Sequence, residues 1–446
     1  MTAPRPPGPG RRARRSPDLG FLVYNLLLVL ALPELGAWLL AHQLSRRKWR
    51  QGWAQRLGLL PRSPAGRRVV WAHAVSVGET MALASIVRAL RARAPEAWIL
   101  VTTVTDTGQE IARRECQGVA DEVGYLPFDL LPCVWLALRR VRPAVCMLTE
   151  TELWPNLLYL AGWAGVRLVV VNGRFSDRNL RRLRWPLAAF YRRLVGRVDR
   201  FGMQSAAYAE RVISLGADPR QVQVLGNAKL DSALAQAGPD KVKRLAAELQ
   251  VQEGDRVLVA GSTHASEEEI VLEAFAAVLK REPDCRLVLA PRHPARAEQV
   301  GAVIEAAGLR WVRRSSLPGP GARQVQVILL DTMGELGACY ALGAAAFIGG
   351  SFIALGGHNV LEPVAVGKPV VYGPRMHGQR ELERVAREAG VGFAVSGAGE
   401  IAERWLGFLE APELREEMAR RAAAVMREHR GAAERYAQVV AEELVP

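Results

Sequence analysis

The sequence is poor in the residues that announce metal centres, disulfide frameworks and common nucleotide loops. Its 446 residues include five cysteines, Cys116, Cys133, Cys146, Cys285 and Cys339, irregularly spaced, odd in number and without a CxxC. A disulfide scaffold is excluded, and small core thiols in a reducing cytosol are expected. The seven histidines form no HExxH pair and no ladder with zinc spacing, so no metal site is expected. Neither GxGxxG nor GxxxxGK(S/T) occurs, which disfavours a dinucleotide dehydrogenase or a P-loop NTPase. Asp-x-Asp, a common metal clamp for nucleotide diphosphates, is missing too. A metal-free departure of a nucleotide is therefore expected, served by Arg, Lys and helix N-termini. Half the residues are hydrophobic and 23% are charged, which excludes a mostly disordered or collagen-like chain.

The net charge of +14 is local. Residues 1–60 hold ten Arg/Lys against two acids, and residues 174–200 hold nine Arg against two acids. Those two stretches account for the whole excess. A nucleic-acid coat would be spread differently, and no zinc-finger, RNP or basic-zipper pattern is present, so nucleic acid is not the expected partner. An anionic membrane or an anionic substrate fits better.

Leu19–Ala41 is the membrane-grade stretch, interrupted by Asn25 and by Pro33-Glu34. Its length can cross a bilayer with some tilt. A central Glu costs roughly 2.5–3.5 kcal/mol on insertion scales, and Pro33 would kink a helix. Spanning and lying in the membrane plane both stay open. Basic clusters flank the stretch, Arg11, Arg12, Arg14 and Arg15 before it and Arg46, Arg47, Lys48 and Arg50 after it, and leave orientation unset. Residues 1–18, rich in Pro, Gly and Arg, read as a disordered basic extension. Residues 19–60 read as anchor helix and basic amphipathic segment.

From Arg67 onward, short β-branched runs alternate with helix-length segments, twice over. Apolar runs of this kind between amphipathic helices predict parallel sheets covered on both faces. Two Rossmann-like α/β domains follow: 61–228 and 254–425, with a linker at 229–253 and a C-terminal helix at 426–446. Ligands of such sheets bind beyond the carboxyl ends of strands, so the unusual segments at those junctions carry the functional reading.

In Trp71-Ala-His-Ala-Val-Ser-Val-Gly-Glu-Thr80 a strand ends and a helix begins near Glu79. A Glu there complements the helix dipole, and it is also placed to act as a general base. Met147-Leu-Thr-Glu-Thr-Glu-Leu-Trp-Pro-Asn156 repeats the strand-to-helix pattern with Glu150 and Glu152. One of these is expected to cap the helix and the other to face the cleft; spacing does not say which. Arg178, Arg181, Arg182 and Arg184, with Trp185, Phe190 and Tyr191, make a basic amphipathic segment, either a solvated face or a contact for phosphates of lipid or substrate. In the second half, Ala260-Gly-Ser-Thr-His264, Pro291-Arg-His-Pro-Ala-Arg296, Asp331-Thr-Met-Gly-Glu-Leu336, Gly349-Gly-Ser-Phe352 and Gly356-Gly-His-Asn-Val-Leu-Glu362 all follow strands. Their Gly and Ser turns are expected to offer backbone N–H groups to a phosphate, and Glu362 to accept from ribose hydroxyls.

The strings HAVSVGE, TETELWPN, GNAKLD, APRHP, DTMGEL and GGHNVLEP, in this order, resemble the 3-deoxy-D-manno-octulosonic acid (Kdo) transferases of lipid A assembly. The likeness runs from the apolar segment to the end of the chain. It implies a GT-B glycosyltransferase fold, two Rossmann-like domains facing a cleft, with an N-terminal membrane-anchoring helix. It also implies inverting transfer of Kdo from CMP-Kdo to a lipid A precursor, lipid IVA, at the cytoplasmic face of the bacterial inner membrane. No cofactor is implied, CMP-Kdo being the donor substrate. By the resemblance Glu79 is the proton acceptor, and Glu150 and Lys229 stabilise the transition state. Pro291, Arg292, Met333, Gly334, Glu335, Asn359, Val360, Leu361 and Glu362 correspond to the CMP-binding stretches. No role for Glu152, His73 or His358 is implied. Two rival readings stay open: a GT-B enzyme or epimerase using a UDP-sugar, and a catalytically idle membrane-bound scaffold.

Overall fold

Val69–His73, Trp98–Thr103 and Val145–Thr149 are buried at every position, as expected of strands covered on both faces. Within the first of them the pleat sends Val69 and Trp71 into one core and Val70 and Ala72 into another. The computed structural model describes residues 17–45, 51–175, 186–231, 238–319 and 322–445. The chain divides into two units, Met1–Asp231 with Gly431–Pro446, and Ser232–Arg430.

In the first unit the strands are β1 (Val69–His73), β2 (Trp98–Thr103), β3 (Glu122–Tyr125), β4 (Val145–Thr149), β5 (Arg167–Gly173), β6 (Arg200–Met203) and β7 (Val222–Val224). They form a parallel sheet of order β3-β2-β1-β4-β5-β6-β7. In the second unit β8 (Val257–Thr263), β9 (Arg286–Pro291), β10 (Trp311–Arg313), β11 (Val327–Leu329), β12 (Ala345–Ile348), β13 (Val370–Tyr372) and β14 (Gly392–Ala394) form a second parallel sheet, β10-β11-β9-β8-β12-β13-β14. Two of these strands, β10 and β14, lie outside the apolar runs read from the sequence.

The stretch expected to link the domains contains the turn that carries Lys229, in the first unit, and the helix Pro239–Glu248, in the second. At the far end of the chain, the helix Ala432–Leu444 returns to the first unit. Asp231 fixes its start, accepting the N–H of Gly431 at 3.0 Å and of Ala433 at 2.7 Å. Tyr436, buried, donates to Gly226 O at 2.7 Å. Glu443 meets Arg200 at 2.8 Å and Arg167 at 3.5 Å.

The apolar N-terminal segment forms the helix Leu19–Ser45, which continues through Pro33. Its first turns are docked on the first unit. Phe21 stacks on Tyr159 with ring centroids 4.2 Å apart. Tyr24 donates to Asp129 at 2.9 Å, and Asn25 to Asn156 at 2.9 Å. Leu22, Leu26, Leu27, Val29 and Leu30 are exposed. Among the described residues no helix is long and apolar enough to cross a membrane.

Asp231→Ala should lower the stability of the first unit by about 1 kcal/mol, the usual worth of an N-terminal helix cap. A shift of the denaturant midpoint checks this, and a midpoint equal to wild type contradicts the role given to Asp231.

Candidate functional site

Each sheet reverses its strand order beside its first strand, between β1 and β4 and between β8 and β12. Loops leaving the carboxyl ends of such a pair run to opposite faces and leave room for a ligand. Among the described residues, the predicted catalytic and CMP-binding residues lie at strand ends, on the loops leaving these sheets or on the helix starts that follow them.

In the first unit, the chain leaves β1 and turns at Ser76, the N-cap of helix Val77–Arg93. Ser76 Oγ accepts from Glu79 N–H at 3.3 Å and donates its own hydrogen to Glu79 Oε1 at 2.8 Å. Glu79 Oε2 accepts the N–H of Val75 at 3.0 Å. This is a capping box whose acid reaches one residue further back than usual. The helix-start reading of Glu79 therefore holds, without exhausting what the side chain can do. Glu79 is 9% exposed. Burial first, and then the nearby Glu150, raise its pKa above the ordinary glutamate value, while the Val75 and Ser76 bonds and Lys229 pull it down. A carboxylate so raised is a better base than an ordinary one.

Glu150 follows β4 and adopts a left-handed φ of 58°, uncommon for a residue with a side chain. Its N–H donates to Val171 O at 2.9 Å, and its Oε1 receives Lys229 Nζ at 2.5 Å. Lys229 arrives from the turn after β7. Asn227 Oδ1 takes its N–H at 3.0 Å, and Asn172 Oδ1 takes that of Ala228 at 3.0 Å. The lysine stem passes the start of the Glu79 helix closely: a methyl at Gly78 would lie 3.8 Å from Lys229 Cε. Glu152 completes the group. Burial, then the charges of Glu79 and Glu150, push its pKa to about 7. Lys229 thus acts on Glu79 and pairs with Glu150, while Glu79 and Glu152 each hold a proton more readily than a separate glutamate would.

The expectation that Glu150 or Glu152 caps the following helix is corrected. Helix Pro155–Trp163 has no side-chain cap from its own N-terminal residue. Asp129, from a distant loop, accepts the N–H of Asn156 and of Leu157, both at 3.0 Å, and leaves both glutamates available to the cluster. His73, at the end of β1, is a core residue. Burial drops its pKa to about 4, and Nδ1 lies 3.0 Å from Thr102 O, which fixes the ring hydrogen on Nδ1. Arg178, Arg181, Arg182 and Arg184 lie outside the described residues, as do the basic residues at 11–15 and 46–50.

In the second unit, Pro291 ends β9, buried, and Arg292 follows it, half-buried. Its N–H donates to Thr263 O at 2.9 Å. Met333 is exposed, and Gly334 O receives Lys241 Nζ at 2.6 Å. Glu335 is bound by Arg314 at 2.9 and 3.1 Å and by the Thr332 hydroxyl. Asn359 Oδ1 accepts from Leu361 N–H at 3.1 Å. Val360 and Leu361 are fully buried, so their side chains are core and they can meet a ligand through the main chain alone. Glu362 is half-buried.

One phosphate-binding expectation is overturned. The N–H groups of Gly350, Ser351 and Phe352 are taken by the buried Glu267 carboxylate at 2.7, 2.9 and 2.9 Å, and that of His264 at 3.0 Å. The chain's own carboxylate fills this nest, leaving no donor there for a phosphate. The helices after Glu335 and Val360 are also short, seven and five residues, so side chains rather than helix ends must carry most of any anion binding. Among the described residues no group of three or more His, Cys, Asp or Glu side chains is placed to hold a metal ion.

Residues 51–232 match the family model described as 3-Deoxy-D-manno-octulosonic-acid transferase (kdotransferase). Over 420 residues the chain is 31% identical to the 3-deoxy-D-manno-octulosonic acid transferase of Haemophilus influenzae, covering 92% of this chain and 96% of that one. The chain belongs to the 3-deoxy-D-manno-octulosonic acid transferase family. The enzyme of the same name from Bordetella pertussis is 34% identical over 374 residues, 82% of this chain and 85% of that one. Among solved structures, the UDP-GlcNAc 2-epimerase of Neisseria meningitidis bound to UDP-GlcNAc superimposes with a TM-score of 0.61 at 15% identity, over 85% of this chain and 99% of that one. That likeness is one of fold: two parallel-sheet α/β domains resembling GT-B glycosyltransferases.

Glu152 yields a stability prediction. Its folded pKa, about 7, lies above the ordinary value of 4.5, so the folded state binds more protons than the unfolded one between these values. Stability contributed at low pH is then lost as pH rises from about 4.5 to about 7. Glu152→Gln should flatten that fall, seen in denaturation midpoints measured at pH 4.5, 6 and 7.5. Parallel curves for the two proteins would contradict the raised value.

Proposed function

We propose that this chain transfers Kdo from CMP-Kdo to a lipid A precursor of the lipid IVA type, with inversion at the anomeric carbon. The observation that carries the reading is the group formed by buried Glu79 with half-buried Glu150, Glu152 and Lys229 beside the strand reversal of the first unit, in a chain of this family. The acceptor's hydroxyl oxygen bonds to the anomeric carbon of Kdo as the bond from that carbon to the phosphate oxygen breaks. CMP leaves with the electron pair, and the hydroxyl proton passes to Glu79. An isolated Glu, with a pKa near 4.3, is a weak base toward an alcohol. The raised pKa of Glu79 narrows that gap, and the transfer is completed late, once positive character on the sugar has acidified the hydroxyl.

Lys229 and Glu150 are charge partners, 2.5 Å apart. The ammonium opposes the rise in the pKa of Glu79 that burial and Glu150 cause, and it supplies the positive charge nearest the reacting sugar carboxylate. Arg292 faces the phosphate of the donor, Asn359 and Glu362 hold its nucleoside, and the backbone at Met333–Glu335 lines the base. The reaction proceeds without a metal ion, the charge on the departing phosphate being met by side-chain cations. The exposed leucines of helix Leu19–Ser45 seat the chain on the inner membrane at its cytoplasmic face. The arginines at 178, 181, 182 and 184 draw the phosphates of the acceptor.

Glu79→Gln keeps the capping geometry and removes the base. Transfer should fall by about 100-fold to 10,000-fold with CMP affinity unchanged, as followed by release of CMP and by calorimetric titration. Turnover at the wild-type rate would remove Glu79 from the role. Arg292→Ala should weaken CMP binding about ten- to a hundredfold, the worth of a charge-assisted hydrogen bond. Unchanged affinity would take Arg292 out of the donor site.

A further inference from the structure

Three histidines that the reaction scheme leaves unused converge at the carboxyl ends of the neighbouring strands β9, β8 and β12. His264 follows β8, His293 follows β9, and His358 lies in the glycine loop beyond β12. His264 Nε2 and His358 Nε2 are 2.9 Å apart, with the rings 4° from parallel. The ring of His293 stands at 83° to that of His264, its centroid 6.0 Å away. A single hydrogen must bridge the two Nε2 atoms, so one ring donates and the other accepts. Gly350 supports the contact: a methyl there would press on the His358 ring at 3.0 Å, and its positive φ of 70° suits glycine.

The charges around the two rings differ. His358 faces Arg292, His264 and His293; burial, then those neighbours, hold its pKa down to about 4. His264 faces Glu267, Glu268, His293 and Arg296, and burial leads in lowering its pKa. Both acids are engaged by other partners. Glu267 is taken up by four backbone N–H groups, and Glu268 is paired with Arg296 at 2.8 Å. Among the described residues the Arg292 guanidinium has no carboxylate partner. Burial thus outweighs the charges of Glu267 and Glu268 at His264, and among the described residues no carboxylate acts on His358 from the Arg292 side. His293 is exposed and His264, His358 and Arg292 are half-buried, so a ligand can reach all four.

We propose that His264 and His358, with Arg292, form a subsite for the phosphate of the nucleotide, and that the pair takes up one proton as the phosphate binds. This rests on the reading that the second unit binds CMP-Kdo. A phosphate at the pair adds negative charge beside both rings, which favours the imidazolium form. The added proton sits between the rings and the phosphate oxygens. The same positive charge then offsets what grows on the phosphate when its bond to the sugar breaks. The two rings, 94 residues apart in sequence, do together what a metal ion does in other nucleotide sites.

The test is calorimetric titration of the full chain with CMP in buffers of different ionisation enthalpy, from pH 6 to pH 8. Wild type should take up close to one proton per CMP at pH 6, and progressively less toward pH 8. His264→Asn and His358→Asn, tested singly with their melting temperatures as a check on folding, should bind CMP three- to tenfold more weakly. Each should also lose most of the uptake. CMP binding by wild type with no proton uptake overturns the subsite and leaves the donor reading standing, as does uptake that both variants retain in full. No CMP binding by wild type overturns the donor reading and the subsite with it.

Discussion

A parallel strand delivers its chain to a loop whose amide N–H groups have lost their ladder partners while still in a low-dielectric surrounding, where an unpaired donor is costly. This protein meets that constraint at both strand reversals with a carboxylate at the start of the following helix. Glu79 takes the N–H of Val75 and the hydroxyl of Ser76. Glu267 takes four N–H groups from two loops. The loops after β1, β8 and β12 are shaped around these two side chains, and they carry part of each candidate site.

The same device leaves the two glutamates with different chemistry. Four backbone donors commit both oxygens of Glu267 to the fold. Glu79 has two local donors and two carboxylate neighbours, Glu150 and Glu152, so part of its capacity remains for a proton. Lys229 balances that group: its ion pair with Glu150 ties the turn after β7 to the end of β4. Function and local stability therefore draw on the same few charges. The role of base proposed for Glu79 rests on this geometry: burial and the charge of Glu150 raise its pKa.

Most strands are readable in the sequence because central parallel strands are buried on both faces and carry apolar runs, as in Val-Val-Trp-Ala and Trp-Ile-Leu-Val. The strands that escape are β10, Trp-Val-Arg, and β14, Gly-Phe-Ala. They sit at the sheet edges, half-buried and three residues long, where no apolar run is needed. Glu79 is legible because Ser76 and Glu79 make a local capping pattern. Contacts that depend on distant packing are not legible: Asp129 on Asn156, Lys229 on Glu150, and Glu267 on Gly350 are 27, 79 and 83 residues apart. The resemblance to the family pointed to Lys229. Nothing local pointed to Asp129, to Glu267 as the occupant of a loop that resembles a phosphate nest, or to the His264–His358 pair.

The chemistry proposed for this scaffold is a transfer in which a cytidylate leaves as a sugar hydroxyl attacks, and product mass tests that claim most directly. The purified chain is incubated with CMP-Kdo and a tetra-acylated lipid A precursor, and the lipid is analysed by mass spectrometry alongside released nucleotide. The account predicts a lipid heavier by one or more whole Kdo units, with one CMP freed for each unit added. An unmodified lipid with CMP-Kdo intact, while a UDP-sugar offered in its place is consumed, would contradict it.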